Sequence, residues 1–170
     1  MSQDQATIVS SLVNLYGLAI DTQRWDLFDE IFTEDVFANY SESATWRDLA
    51  TFKRDFAAYH DPFDGTQHTM TNIQWRFAGD TARAVTYGHW RLVRYGVPGG
   101  DFWEGQGWYE DELVRRDAGW RIRHRVCRII WWGGNPNVNE TTPGVKFELG
   151  VTSLRREADE GRFKFLSALT

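Results

Sequence analysis

Apolar side chains recur at Ile8, Leu12, Leu15 and Ala19, a spacing of three and four residues that lines one face of a helix. The pattern breaks near Asp21 and Thr22 and resumes at Trp25, Phe28, Ile31 and Phe32, which predicts a second short helix directly after the first. Val36-Phe37-Ala38-Asn39-Tyr40 then has the length and composition of a short strand. A third helix is predicted from Thr45, whose hydroxyl is placed to cap it, with Asp48 three residues on. Leu49, Phe52, Phe56 and Tyr59 share its apolar side, and His60-Asp61-Pro62 ends it.

From Thr66 onward the pattern is that of strands, separated by turn signals at Gly79-Asp80, Pro98-Gly99-Gly100 and Asp117-Ala118-Gly119. Three or four long antiparallel strands are expected. Helices first and a meander second predict the α+β class: a cone-shaped barrel in which a curved antiparallel sheet is closed by three N-terminal helices around a cavity. Gly88, Gly105 and Gly107, inside strand runs, are the expected bulge or bend points. After Trp132 the chain turns to Gly, Asn, Pro and Thr through Gly144, and a short helix is expected from Ser153. The predicted organisation is a barrel domain over residues 1–132 and a C-terminal extension over 133–170, acting as a lid or an oligomer contact.

The last long strand, residues 120–132, carries one charge where an apolar residue is expected. Arg128 shares the parity of Trp120, Ile122, Val126 and Ile130, as does His124, whereas Arg121, Arg123 and Arg125 take the other side. Arg128 is therefore expected to point inward, and a buried guanidinium needs an anion or a polar cavity. A bulge would invert this parity, and the choice between a structural ion pair and a ligand anchor stays open.

At 170 residues, with 42% hydrophobic and 25% charged side chains, the chain fits one globular domain with a sizeable core. Its 15% aromatic content, nine Trp included, exceeds what such a core needs. That surplus suits a cavity lined by rings around an apolar or aromatic ligand, or equally aromatic packing with an oligomer interface. Trp103, Trp108, Trp131 and Trp132 point to a homodimer or homotrimer. A net charge of −5 with scattered basic residues argues against a nucleic-acid partner. The single Cys127 excludes an internal disulfide, and four scattered histidines lack metal-ligand spacing, so neither metal nor other cofactor is expected. Residues 1–11 do not resemble a signal peptide and no apolar run reaches membrane-spanning length, so a soluble cytoplasmic protein without membrane contact is expected.

Tyr16, Asp21, His68 and Arg128 stand out as acid, base or electrophile, with His89 and Tyr40 beside them. Asp21 also fits as the N-cap of the second helix, and His68 and His89 as structural strand histidines. Chemistry follows if Asp21 reaches a ring nitrogen of His68, because the carboxylate then fixes the tautomer and makes the other nitrogen a general base.

Tyr16-Gly17-Leu18-Ala19-Ile20-Asp21-Thr22-Gln23-Arg24-Trp25-Asp26, Gly65-Thr66-Gln67-His68, Tyr87-Gly88-His89 and Asp117-Ala118-Gly119-Trp120-Arg121-Ile122 together resemble scytalone dehydratase and its SnoaL-like relatives in the nuclear-transport-factor-like superfamily. The resemblance runs from Ile8 to Trp132. It implies a cone-shaped α+β barrel whose cavity holds an Asp–His pair, matched by Asp21 and His68, with a second histidine matched by His89 and a strand tyrosine matched by Tyr40. Tyr16, Asp21, His68 and Arg128 also resemble the residues around the steroid in bile-acid dehydratases. The sequence departs at Arg94, near where those enzymes carry an acidic residue, and in Trp108-Tyr109-Glu110, where the fungal enzyme carries an asparagine.

The resemblance implies a cofactor-independent dehydratase acting on a hydrophobic cyclic ketone or polyketide-like substrate. His68 abstracts the proton α to the carbonyl, Asp21 orients it, Tyr16, Tyr40 or Arg128 polarises the oxygen, and His89 or protonated His68 serves the leaving hydroxyl. Arg128, Tyr40, Trp108 and Trp25 form the expected substrate-binding set. The alternatives are a polyketide cyclase or isomerase with the same base, or a non-catalytic ligand-binding or scaffold protein.

Overall fold

The computed structural model describes residues 3–142 and 149–167, with side chains from residue 5. Gly144, where the loop-like stretch ends, lies outside them. Helix α1 (Gln3–Asp21) buries Val9, Leu12, Val13, Tyr16, Ala19 and Ile20, spaced three and four apart. This stripe lies one residue round from the predicted one: Tyr16 enters the core, whereas Ile8 is 46% exposed. The second helix shrinks to a 3₁₀ turn (Trp25–Leu27) running into α2 (Phe28–Ile31), whose Phe28 and Ile31 are fully buried.

Helix α3 (Leu49–His60) starts later than its predicted Thr45 cap. Asp48 is the cap, its carboxylate accepting from the Thr51 N–H at 2.7 Å on extended backbone. The Thr45 hydroxyl is engaged instead by Asn39 Nδ2 at 2.6 Å and the Ser41 carbonyl at 3.0 Å, which places Thr45 in β2 (Thr45–Trp46) against β1 (Phe32–Asn39).

Four long strands follow: β3 (Gly65–Ala78), β4 (Thr81–Val93), β5 (Phe102–Arg116) and β6 (Gly119–Gly134). The six-stranded sheet has the order β2-β1-β6-β5-β4-β3. It does not close on itself, so β2 and β3 are edges, and α1 packs along β3 to complete the wall. Every neighbouring pair is antiparallel except β1 and β6, which no hairpin joins and which run parallel.

Strand β6 decides which side chains enter the core. Leu113 faces Ile122 while Glu112 faces His124, so one step on β5 spans two residues on β6 and Arg123 is the extra one. This bulge inverts the strand's parity. Before it, Trp120 and Ile122 are buried; after it, Arg125 and Cys127 are. Arg125 therefore points inward, and Arg128 and His124 turn to the outer side, the reverse of the alternation expected from the sequence. A second register shift pairs Gly107 with Ile129 and Gln106 with Trp131. At Gly107 a Cβ would stand 1.8 Å from the Arg128 carbonyl oxygen, so only glycine fits there. Gly88 and Gly105 have a different purpose from the expected bends: they leave room for the indoles of Trp90 and Trp103, which a Cβ would meet at 2.8 and 2.5 Å.

Across β4, β5 and β6 the inward residues stack in levels. Leu92 and Trp103 form one end, followed by Trp90 beside Gly105, Gly88 beside Gly107 and Ile129, Tyr109 beside Cys127, Asp111 beside Arg125, and Leu113 beside Ile122. His68 of β3 sits level with Trp90. Beyond β6, a 3₁₀ turn (Pro136–Asn139) packs on β4 and β5 at the first of these ends. Residues after it reach the other side of the sheet: Phe163 and Phe165 bury Val85 and Trp108 from outside, next to the short helix α4 (Leu154–Asp159).

Candidate active site

A cavity of about 460 Å³ lies between α3, the end of α1 and the inner face of β3 to β6. Its lining is mostly aromatic and aliphatic, and its polar residues include Tyr16, Tyr40, Asp55, Tyr59, His60, His68, Tyr109 and Asn139. Cavities of this size and make-up suit small apolar ligands oriented by a few polar groups.

Asp21 closes α1, and the close approach of α1 to β3 is set one turn earlier at Gly17, where a Cβ would stand 3.2 Å from His68 Cβ. Asp21 Oδ2 accepts from the His68 backbone N–H at 2.8 Å, and Oδ1 accepts from the Thr66 hydroxyl at 2.9 Å and lies 2.7 Å from His68 Nδ1. Asp21 does not cap the following turn, whose cap position is Arg24 without a side-chain bond. A carboxylate only accepts, so Nδ1 carries the proton and Nε2 keeps its lone pair for the cavity. Burial alone would raise the Asp21 pKa, but the bonds and charge of His68 and the Thr66 bond outweigh it and hold the carboxyl below its ordinary value.

The second polar group is a tyrosine cluster. The Tyr16 and Tyr40 hydroxyls are 2.6 Å apart, and the Tyr16 ring meets Tyr109 edge-on at 5.4 Å. Burial pushes the Tyr16 pKa up to about 12 against the opposing charge of Arg125, and burial raises Tyr40 and Tyr109 well above the ordinary range. All three stay protonated at neutral pH and serve as O–H donors. Beneath them Arg125 donates to both carboxylate oxygens of Asp111, from Nε and Nη2 at 2.7 Å each. The guanidinium carbon stands 4.1 Å from the Tyr16 ring centre and 4.6 Å from that of Tyr109. Cys127 sits level with Tyr109, and burial pushes its thiol to about 12.

Of the residues expected at the site, Asp21, His68, Tyr16 and Tyr40 come together here. The other four do not. His89 is on the outer face because its neighbour Trp90 points inward, and its Nε2 lies 3.4 Å from Glu104 beside Arg91. Arg128 faces outward and donates to the Cys127 and Asn39 carbonyls at 2.7 and 3.3 Å. Trp108 is buried on the outer side under Phe163 and Phe165. Trp25 packs on Phe28 and His60 behind the lining.

Sequence reasoning missed His60, which lines the cavity, and the Arg125–Asp111 pair beneath the tyrosine cluster. His60 is 4% exposed and lines the cavity, with Nδ1 2.7 Å from the Phe56 carbonyl. Burial depresses its pKa to about 4, partly offset by that bond, so it is neutral over the physiological range. Its signal was present in the helical spacing from Phe52 and Phe56. Nothing within β6 alone singles out Arg125.

Among the described residues no group of three or more His, Cys, Asp and Glu side chains is arranged to hold a metal, and no helix is long and apolar enough to cross a membrane. The family model of the SnoaL-like domain matches residues 3–126. The uncharacterized protein Rv2910c of Mycobacterium tuberculosis is 31% identical over 124 residues, covering 72% of this chain and 83% of its own. A candidate scytalone dehydratase from Novosphingobium aromaticivorans superposes with a TM-score of 0.70 at 19% identity, covering 79% of this chain and 92% of its own. The hexachlorocyclohexane dehydrochlorinase LinA type 2 does so with a TM-score of 0.66 at 17% identity, covering 82% and 90%. Structural likeness at these identities establishes the shared fold.

Proposed function

The chain belongs to the SnoaL-like domain family, and from that premise we propose that it is a cofactor-independent dehydratase acting on a hydrophobic cyclic ketone with a β-hydroxyl group. One observation carries the reading: Asp21 Oδ1 lies 2.7 Å from His68 Nδ1 in the wall of a ring-lined cavity. His68 Nε2 takes the proton α to the carbonyl. The electron pair moves onto the carbonyl oxygen, which accepts from one hydroxyl of the Tyr16–Tyr40 pair while the other donates to that hydroxyl. The enolate then collapses to the enone as the β C–O bond breaks, and the His68 imidazolium returns its proton so that the hydroxyl leaves as water. With His89 on the outer face, His68 serves as both base and acid. Two neighbours whose names denote eliminations, a candidate dehydratase and a dehydrochlorinase, support this class of reaction.

The need for both groups is energetic. A positioned base typically contributes about a hundred- to ten-thousand-fold, and donors aimed at the developing oxyanion add about 3 kcal/mol each. We further propose a homodimer or homotrimer, supported by the exposed Phe102, Ile130 and Trp131 on the outer face.

The test is turnover of a panel of cyclic β-hydroxy ketones by chelator-treated protein. His68→Ala is expected to lose about a hundred-fold or more, and Asp21→Asn a large part of the rate, because the tautomer is left unfixed. His60, whose pKa burial lowers to about 4, stays neutral over the assay range and adds no charge to the cavity there. Full activity of His68→Ala overturns the mechanism. Conversion without loss of water moves the assignment to a cyclase or isomerase.

A further inference from the structure

Strand β1 pairs with β6 only as far as Val126, so from Cys127 onward that edge of β6 has no long strand beside it among the described residues. Cys127 and Ile129, on this stretch, both line the cavity. The C-terminal segment closes the edge. Leu149 is part of the lining, and its carbonyl accepts from Trp132 Nε1 at 3.3 Å. Val151 bridges Ile129, and the Thr152 N–H donates to the Ile129 carbonyl at 2.9 Å.

The same segment is anchored on the outer face by a second set of contacts. Phe163 and Phe165, with Leu154 and Ala158, pack on Val85 and Trp108 in an apolar cluster separate from the main core. So small a cluster opens at less cost than the core, which lets the segment come away while the sheet stays folded. Arg83 Nη1 donates to the Lys164 carbonyl at 2.8 Å, the Arg76 guanidinium carbon stands 5.0 Å from the Phe165 ring centre, and the Glu110 carboxyl accepts from the Phe165 N–H.

Glu110 is 6% exposed under this cover. Burial raises its pKa to about 7 against the Phe165 and Lys164 N–H groups and the charge of Arg83, and Glu112 adds to the rise. Around it stand Arg83 and Tyr87 on β4, Glu112 on β5, His124 and Arg128 on β6, and Glu157 and Lys164 on the segment. Two bonds from Arg162 hold Glu157 at about 2, and burial lowers His124 below its ordinary value. Glu110 is thus the group placed to change charge as the pH passes neutrality.

We propose that residues 149–167 form a strap that completes the cavity wall beside Ile129, and that loss of the Glu110 proton loosens it. Once the strap is released the carboxylate meets water, so the docked state holds the proton more tightly than the released one. Docking is at full strength below pH 4.5 and weakens as the pH rises through about 7. Between pH 6 and pH 8 the docking equilibrium constant falls about tenfold.

Hydrogen exchange of the full chain, read by mass spectrometry at pH 6 and pH 8 and corrected for the intrinsic rate of each amide, tests this. Protection at Thr152 and Phe165 is expected to fall about tenfold between the two, with β6 residues 119–126 unchanged. Glu110→Gln keeps a neutral acceptor for the Phe165 N–H and is expected to abolish the fall. Phe165→Ala removes the outer anchor and is expected to lower protection at Thr152 at both pH values. Cys127 is the single thiol, and its labelling by methyl methanethiosulfonate reports on the cavity wall. The wild-type to Glu110→Gln rate ratio, in which intrinsic thiol reactivity cancels, is expected to rise about tenfold from pH 6 to pH 8. Wild-type protection that does not change with pH, or an equal fall in Glu110→Gln, overturns the role of Glu110. Protection at Thr152 untouched by Phe165→Ala, or a constant Cys127 ratio, overturns the strap.

Discussion

Removing Arg125 leaves Asp111 with a charge and no partner in the driest part of the molecule. The two side chains are 0% and 1% exposed, joined by two bonds of 2.7 Å, and covered by the Tyr16, Tyr109 and Phe32 rings at 4.1, 4.6 and 5.3 Å from the guanidinium. The carboxylate is left buried and without its partner, so Arg125→Met is expected to cost about 3–5 kcal/mol, the range for breaking buried pairs. For a chain of this length that is a fall in melting temperature of about 6–20 °C. Arg125→Lys recovers only part of the loss, because an ammonium cannot meet both carboxylate oxygens at once. The double variant Asp111→Leu/Arg125→Met has no lone charge and is expected within about 2 kcal/mol of the wild type, since the desolvation of the pair roughly offsets its attraction. Urea unfolding of the wild type, Arg125→Met, Asp111→Leu and the double variant closes a double-mutant cycle. If Arg125→Met unfolds within about 1 kcal/mol of the wild type, or if the double variant is as unstable as the single one, the pair does not hold the cavity floor.

The remaining predictions concern the outer face. Glu110 accepts from the Phe165 N–H at 2.5 Å where the C-terminal segment covers the sheet, and burial pushes its pKa to about 7 against that bond and the one from Lys164. A carboxyl raised above its unfolded value binds more protons when folded, so its stabilisation is present below pH 4.5 and is lost as the pH rises through about 7. Glu110→Gln keeps a neutral acceptor and is expected to raise the melting temperature at pH 8 with little change at pH 4.5; equal shifts at both pH values would refute this. Phe102, Ile130 and Trp131, at 45%, 39% and 42% exposure, are expected to be covered in a homodimer or homotrimer. A monomeric mass by light scattering at micromolar concentration argues against that assembly.

Local periodicity alone determined that helices precede a meander of long strands, and that α1 and α3 each carry one apolar face. Both follow from side-chain spacing, which a single segment contains. The residues around Tyr16, Asp21 and His68 were also legible, through their flanking motifs, although no spacing joins residue 21 to residue 68; only the packing of α1 on β3 at Gly17 brings them to 2.7 Å. Which arginine enters the core was beyond the reach of the sequence. Arg125 and Arg128 lie on opposite parities of one strand, and the choice between them depends on the extra residue Arg123 in the β5–β6 register, a relation between two strands rather than a property of either. The same holds for His89, placed at the site by the resemblance, and for Trp108, expected in the substrate-binding set. Their neighbours Trp90 and Tyr109 take the inner face, and the segment ending in Phe165 buries Trp108 from the other side. Pairing register and the covering of one face by a distant segment arise from contacts far apart along the chain, so tertiary structure decided them.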